Sequence, residues 1–127
     1  MDAQSTILLA AKPGWVSGIF REILAAHGFK VLLEQCGFTP VVIGHAFPGT
    51  IDLLLAEVDY KGAGSGKALA ENLGALRPLM QCLFFEVRNG RILMGTDPES
   101  GFENEFSPAS FLKEVTELST YGFYPVG

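Results

Sequence analysis

The stretch "TILLAAKPGWVSGIFREIL", residues 6–24, decides the fold. The run Ser5–Ala11 is apolar without polar alternation, the pattern of a strand buried on both faces. Pro13 suits the first turn of a helix, where its missing N–H has no intrahelical partner to lose. Trp15, Ile19 and Ile23 then recur at helical spacing, and Val16, Phe20 and Leu24 widen the stripe. Gly28, directly after His27, is a stop signal. The strand therefore delivers Ala10 and Ala11 to the carboxyl end of a sheet, where α/β folds bind their ligands. Two methyl groups stand there.

The same alternation continues downstream. Phe29–Glu34 reads as a second strand. Thr39-Pro40 is a cap followed by proline at the first helical position, predicting a short helix through Phe47. A strand over Val41–Gly44 is the alternative. Ile51–Val58 is the clearest strand, followed by a loop at Gly62–Gly66. Lys67–Leu76 is helical, with Leu69, Leu73 and Leu76 on one face. Met80–Val87 is a further apolar strand. Asn89-Gly90 between two apolar runs is a hairpin signal, with a short irregular helix over 88–101 as the alternative. Glu103–Phe106 reads as an edge strand. Ser107-Pro108 opens a last helix that buries Phe111, Val115 and Leu118, with Leu112 beside them. Thr120–Gly127 reads as a tail. The pattern predicts one domain over residues 1–127, its core at about 5–119, built on a mostly parallel sheet covered on both faces.

The net charge is −5, and the nine lysines and arginines are scattered, which argues against nucleic acid and against anionic membranes. The acidic residues that thicken over 97–105 read as a solvated loop. Cys36 and Cys82 form no metal or redox spacing and are expected as buried free thiols. No leader pattern or bilayer-length apolar run is present, which predicts a cytoplasmic protein.

Chemistry-bearing motifs are sparse. "KGAGSGKAL", residues 61–69, has the texture of a phosphate-cradling loop. Lys61 replaces its first glycine, however, and Ala68 replaces the hydroxyl that would hold magnesium. Lys61, Gly62, Gly64 and Ser65 are thus expected to form a turn before a helix. His27 and His45 have no ligand partner at helical or hairpin spacing. Glu57 and Asp59 lie at the end of the third strand, and an extended chain would point them to the same side.

The order of these elements resembles the receiver domain of bacterial response regulators over residues 5–119. "FREILAAHGFKVLLE" (Phe20–Glu34) is similar to that family's first helix and second strand, and "IDLLLAEV" (Ile51–Val58) to its third strand. "GKALAENLGALRP" (Gly66–Pro78) resembles its third helix, and "FSPASFLKEV" (Phe106–Val115) the start of its last helix. The resemblance implies a flavodoxin-like three-layer sandwich on a parallel five-stranded sheet of order 2-1-3-4-5. The fourth helix would be shortened or replaced by a hairpin. It also implies a place in two-component signalling, where a histidine kinase passes a phosphoryl group to an aspartate. Two acidic residues and that aspartate hold Mg²⁺ in the family, while a Thr or Ser and a Lys meet the phosphoryl oxygens.

Carried onto this chain, the acidic pair falls on Ala10 and Ala11. The acceptor falls on Glu57, with Asp59 as its rival. The hydroxyl position falls at Phe85 or Glu86 and the lysine position at Asn104 or Glu105, the next lysine being Lys113. Mg²⁺ and other cofactors are therefore not expected. The reading that follows is a stand-alone pseudo-receiver, not an enzyme, which acts by contact with a histidine kinase, another signalling protein or a second copy of itself. One alternative is a small enzyme or anion-binding protein using Glu57, Asp59 and the Gly62–Lys67 loop. Others are a receiver phosphorylated on Asp59 and a fragment of a larger regulator.

Overall fold

The computed structural model describes residues 5–34, 39–99, 101–102 and 104–121. Cys36 and the end of the expected tail lie outside them. The elements run β1 (Thr6–Ala10), α1 (Trp15–Ala26), β2 (Lys30–Leu33), α2 (Pro40–Ala46), β3 (Leu53–Glu57) and α3 (Ser65–Leu76). They continue with β4 (Gln81–Arg88), β5 (Arg91–Gly95), β6 (Asn104–Glu105) and α4 (Pro108–Tyr121). The sheet order is β2-β1-β3-β4-β5-β6. β1 lies parallel to β2 and to β3, and β3 lies parallel to β4.

Burial on both faces explains why β1 and β3 read as unbroken apolar runs: every residue of each is buried. Alternate side chains feed two cores. Ile7, Leu9, Leu53, Leu55, Leu83 and Phe85 meet α1 and α4 through Phe20, Leu24, Phe111 and Val115. Leu8, Ala10, Leu54, Ala56 and Phe84 meet α3 through Leu69 and Leu73. Three layers result, helices on either side of the sheet. Thr39 caps α2 by accepting from Val42 N at 3.4 Å, so Val41–Gly44 is helix and not strand.

The expected five-stranded parallel sheet needs correction at its far side. β5 runs antiparallel to β4, and β6 antiparallel to β5. Asn89 and Gly90 both take positive φ, 53° and 76°, which is the twist a two-residue hairpin turn requires. The hairpin thus stands where a fourth helix was the alternative. β4 continues three residues beyond the level at which β3 ends, so the hairpin projects about 10 Å past the sheet's carboxyl edge. After β5 the chain crosses the α3 side. There the Phe102 ring packs into the second core and Glu99 pairs with Lys67 on α3.

Two helical stripes are rotated from their expected positions. Trp15 is 59% exposed, because Val16, Phe20 and Leu24 take the centre of the α1 interface, with Ile19 and Ile23 flanking it. Leu76 is 52% exposed, since it is the last residue of α3, beyond the part that faces the sheet. Leu118 of α4 is half-buried against the first core. Cys82 is half-buried, and burial raises its thiol pKa.

Candidate functional site

The carboxyl ends of β1 and β3 meet as the sequence places them. Ala10 pairs with Ala56, and both are fully buried on the α3 side. Ala11 turns to the α1 side and packs on the first core. Neither side chain offers an oxygen. Glu57, the last residue of β3, shares the α1 side with Leu53 and Leu55 by strand alternation and is buried.

The Glu57 carboxylate is held from within the chain. Its Oε1 accepts from the backbone N–H of Lys12 at 2.9 Å, and its Oε2 lies 4.0 Å from Lys12 Nζ. The Lys12 side chain is 58% exposed, so the amide is the stronger contact. Lys12 is a participant that the sequence pattern did not reveal, since its main contact uses an atom every non-proline residue carries.

Beside Glu57, Phe85 occupies the paired position on β4, and Val58 N donates to Phe85 O at 2.9 Å. The Phe85 ring is fully buried, edge-on to Phe20 at 4.8 Å. A phenyl group, with no donor to offer, thus stands beside the Glu57 carboxylate. Glu86 faces the other way and pairs with Arg88 at 2.6 Å. Glu57, Phe85, Met94 and Asn104 form one row across the sheet. Asn104 therefore sits three strands, about 14 Å, from Glu57. The inserted β5 carries the expected lysine position one strand farther out than a parallel order 2-1-3-4-5 would.

Glu57 and Asp59 do not point the same way, because extended structure stops at Glu57. Tyr60 N donates to Glu57 O at 3.3 Å, closing a turn. Asp59 is exposed, and its Oδ1 accepts from Gly64 N at 2.9 Å. Lys61 N donates to Ser65 Oγ at 2.9 Å, and Gly66 N to Val58 O at 2.8 Å. A Cβ on Gly66 would lie 2.5 Å from Glu57 O, so only glycine lets α3 approach the end of β3 this closely. Lys61, Gly62, Gly64 and Ser65 thus form a self-bonded turn. Lys67 beyond it is committed to Glu99, whose hydrogen bond raises the lysine pKa. Tyr60 is shifted up as well, by burial and then by the charge of Glu34.

A divalent cation of the Mg²⁺ kind needs several oxygen ligands at near-octahedral positions. The residues at this site do not fit one. Two candidate positions carry methyl groups, and the one carboxylate is engaged by an amide and an ammonium. Among the described residues, no group of three or more His, Cys, Asp and Glu side chains is arranged to share a metal ion. No helix of the described residues is long and apolar enough to cross a membrane.

No protein-family model matches the sequence, and none of the curated proteins does. Among solved structures the chain is similar to a response regulator receiver domain protein (CheY-like) from Methanospirillum hungatei JF-1. The TM-score is 0.73 at 15% identity, covering 95% of this chain and 98% of that one. The fold of this chain is therefore that of a CheY-like receiver domain, with a β-hairpin and an added edge strand in place of the fourth helix and fifth parallel strand.

Proposed function

We propose that this chain is a pseudo-receiver: a receiver-fold signalling protein that takes up no phosphoryl group and acts by contact with protein partners. The observation that carries this reading is the buried Glu57 carboxylate, satisfied by the Lys12 amide at the point where a receiver would place its acceptor. Phosphoryl transfer to a carboxylate needs cationic groups to neutralise charge on the moving phosphoryl oxygens. Here Ala10 and Ala11 supply no ligand for such a cation, and Phe85 supplies no donor. Asn104 lies too far along the sheet to reach. What the fold retains is surface: a rigid three-layer frame presenting its hairpin, loops and helices to other proteins, a histidine kinase or another signalling component among them.

Incubation with acetyl phosphate and Mg²⁺, followed by intact-mass measurement, tests the reading. The expected result is an unchanged mass. An adduct of one phosphoryl group, lost in Asp59→Asn or in Glu57→Gln, would replace it with a working receiver of atypical site.

A further inference from the structure

β6 forms the outer edge of the sheet. Phe106 N donates to Ile92 O at 2.8 Å, so Phe106 and Asn104 turn their backbone groups toward β5. Glu105 lies between them in the antiparallel ladder and therefore turns its own N–H and C=O outward. A cleft of about 260 Å³ opens beside this edge, between β5, β6 and the start of α4. Its floor is apolar: Met94 and Phe111 are both buried. Its rim is polar, formed by Asn104, Glu105, Ser110 and Glu114. Glu105 pairs with Arg91 at 3.3 Å. Glu114 is half-buried and, among the described residues, has no ion-pair partner.

We propose that this edge docks an extended basic segment of a partner protein. One lysine or arginine of that segment lays its aliphatic stem on Met94 and Phe111 and brings its cation to Glu114, on the same face of the sheet, while its backbone pairs with Glu105. The proposal rests on the protein-contact reading above and names the chemistry of the partner. Three observations select this occupant. The cleft is smaller than the roughly 300–1,000 Å³ that drug-sized ligands fill, so it suits one side chain. An apolar floor under a carboxylate rim matches a side chain with a hydrocarbon stem and a charged head. A half-buried carboxylate without a counter-charge favours an incoming cation, and the open backbone groups of Glu105 allow strand addition. Symmetric pairing with a second copy would instead set Glu105 and Glu114 against their own images, in a chain of net charge −5.

The test is an amide-resonance titration of the full ¹⁵N-labelled chain with a short capped peptide of valines and threonines around one arginine. Versions carrying glutamine or glutamate at that place serve as comparison. Saturable shifts are expected at Asn104, Glu105, Ser110, Phe111 and Glu114. Affinity should fall with salt, and by about threefold to tenfold when the peptide arginine becomes glutamine or when Glu114→Gln is used. The spectrum of Glu114→Gln reports its own folding. Phosphoryl uptake does not depend on this cleft, so either reading fails without the other. Absence of saturable binding, shifts on another face, or equal binding of the glutamate peptide would overturn the proposal.

Discussion

Arg77, just beyond α3, offers the most quantitative test of how the α2/α3 layer is held. Its Nε donates to Gly44 O at 2.8 Å, its Nη2 to Phe47 O at 2.7 Å and its Nη1 to Gly49 O at 2.8 Å. One planar guanidinium thereby satisfies carbonyls at the end of α2 and in the turn after it, which helix geometry leaves without partners. Arg77→Met keeps most of the stem and removes all three donors. The two part-buried bonds are worth about 1–1.5 kcal/mol each, and the exposed one about 0.5 kcal/mol, because Gly49 O regains water. Released side-chain entropy returns roughly 1 kcal/mol. The net loss is about 2 kcal/mol, or roughly 6–10 °C in Tm for a chain of this size. Urea unfolding followed by circular dichroism would read it as a lower midpoint at unchanged slope. Arg77→Lys should recover less than half, since one ammonium does not span three carbonyls. A loss below about 0.5 kcal/mol in Arg77→Met would refute the assignment of this clamp.

Other consequences concern the site and the base of the sheet. Gly66→Ala forces a methyl against Glu57 O and Val58 O, so it should cost about 1–3 kcal/mol in chemical denaturation and displace the Glu57 and Val58 amide resonances. Lys12→Met should change stability by less than about 0.5 kcal/mol, because the backbone N–H that holds Glu57 is retained and the ammonium is largely exposed; thermal melts check this. Asp52, directly before β3, is buried and accepts from Thr6 N at 2.7 Å; burial raises its pKa against that bond's opposing pull. A raised carboxyl pKa gives stability that is complete below the unfolded value, near 4, and is lost as pH climbs through the folded value. Urea midpoints of the wild type should therefore fall over that window relative to Asp52→Asn. Parallel profiles would contradict the assignment.

What the sequence made legible follows from which forces write themselves into side-chain order. β1 and β3 are plain because two-sided burial demands unbroken apolar runs, and Thr39-Pro40 and Asn89-Gly90 mark a cap and a turn by local chemistry. The added edge strand was less plain. β6 is two exposed residues long, and its partner was set by the hairpin and not by its own pattern. Trp15 and Leu76 misled because helical spacing gives a stripe but not the rotation at which it meets the sheet. The blank at Ala10 and Ala11 was visible at once. Its complement was not, because Lys12 reaches Glu57 mainly through a backbone amide and Arg77 reaches only backbone carbonyls. Neither contact leaves a compositional trace. The shared direction expected for Glu57 and Asp59 failed because a turn begins where strand periodicity was extended by two residues.

Magnesium titration of the labelled protein, read at the amides of Lys12, Glu57 and Val58, probes the corner around Glu57 without relying on any phosphoryl donor. With Glu57 already engaged and no side-chain oxygen on Ala10 or Ala11, these resonances should stay in place through millimolar Mg²⁺ apart from a uniform ionic-strength drift. A saturable shift centred on Glu57 would contradict the account.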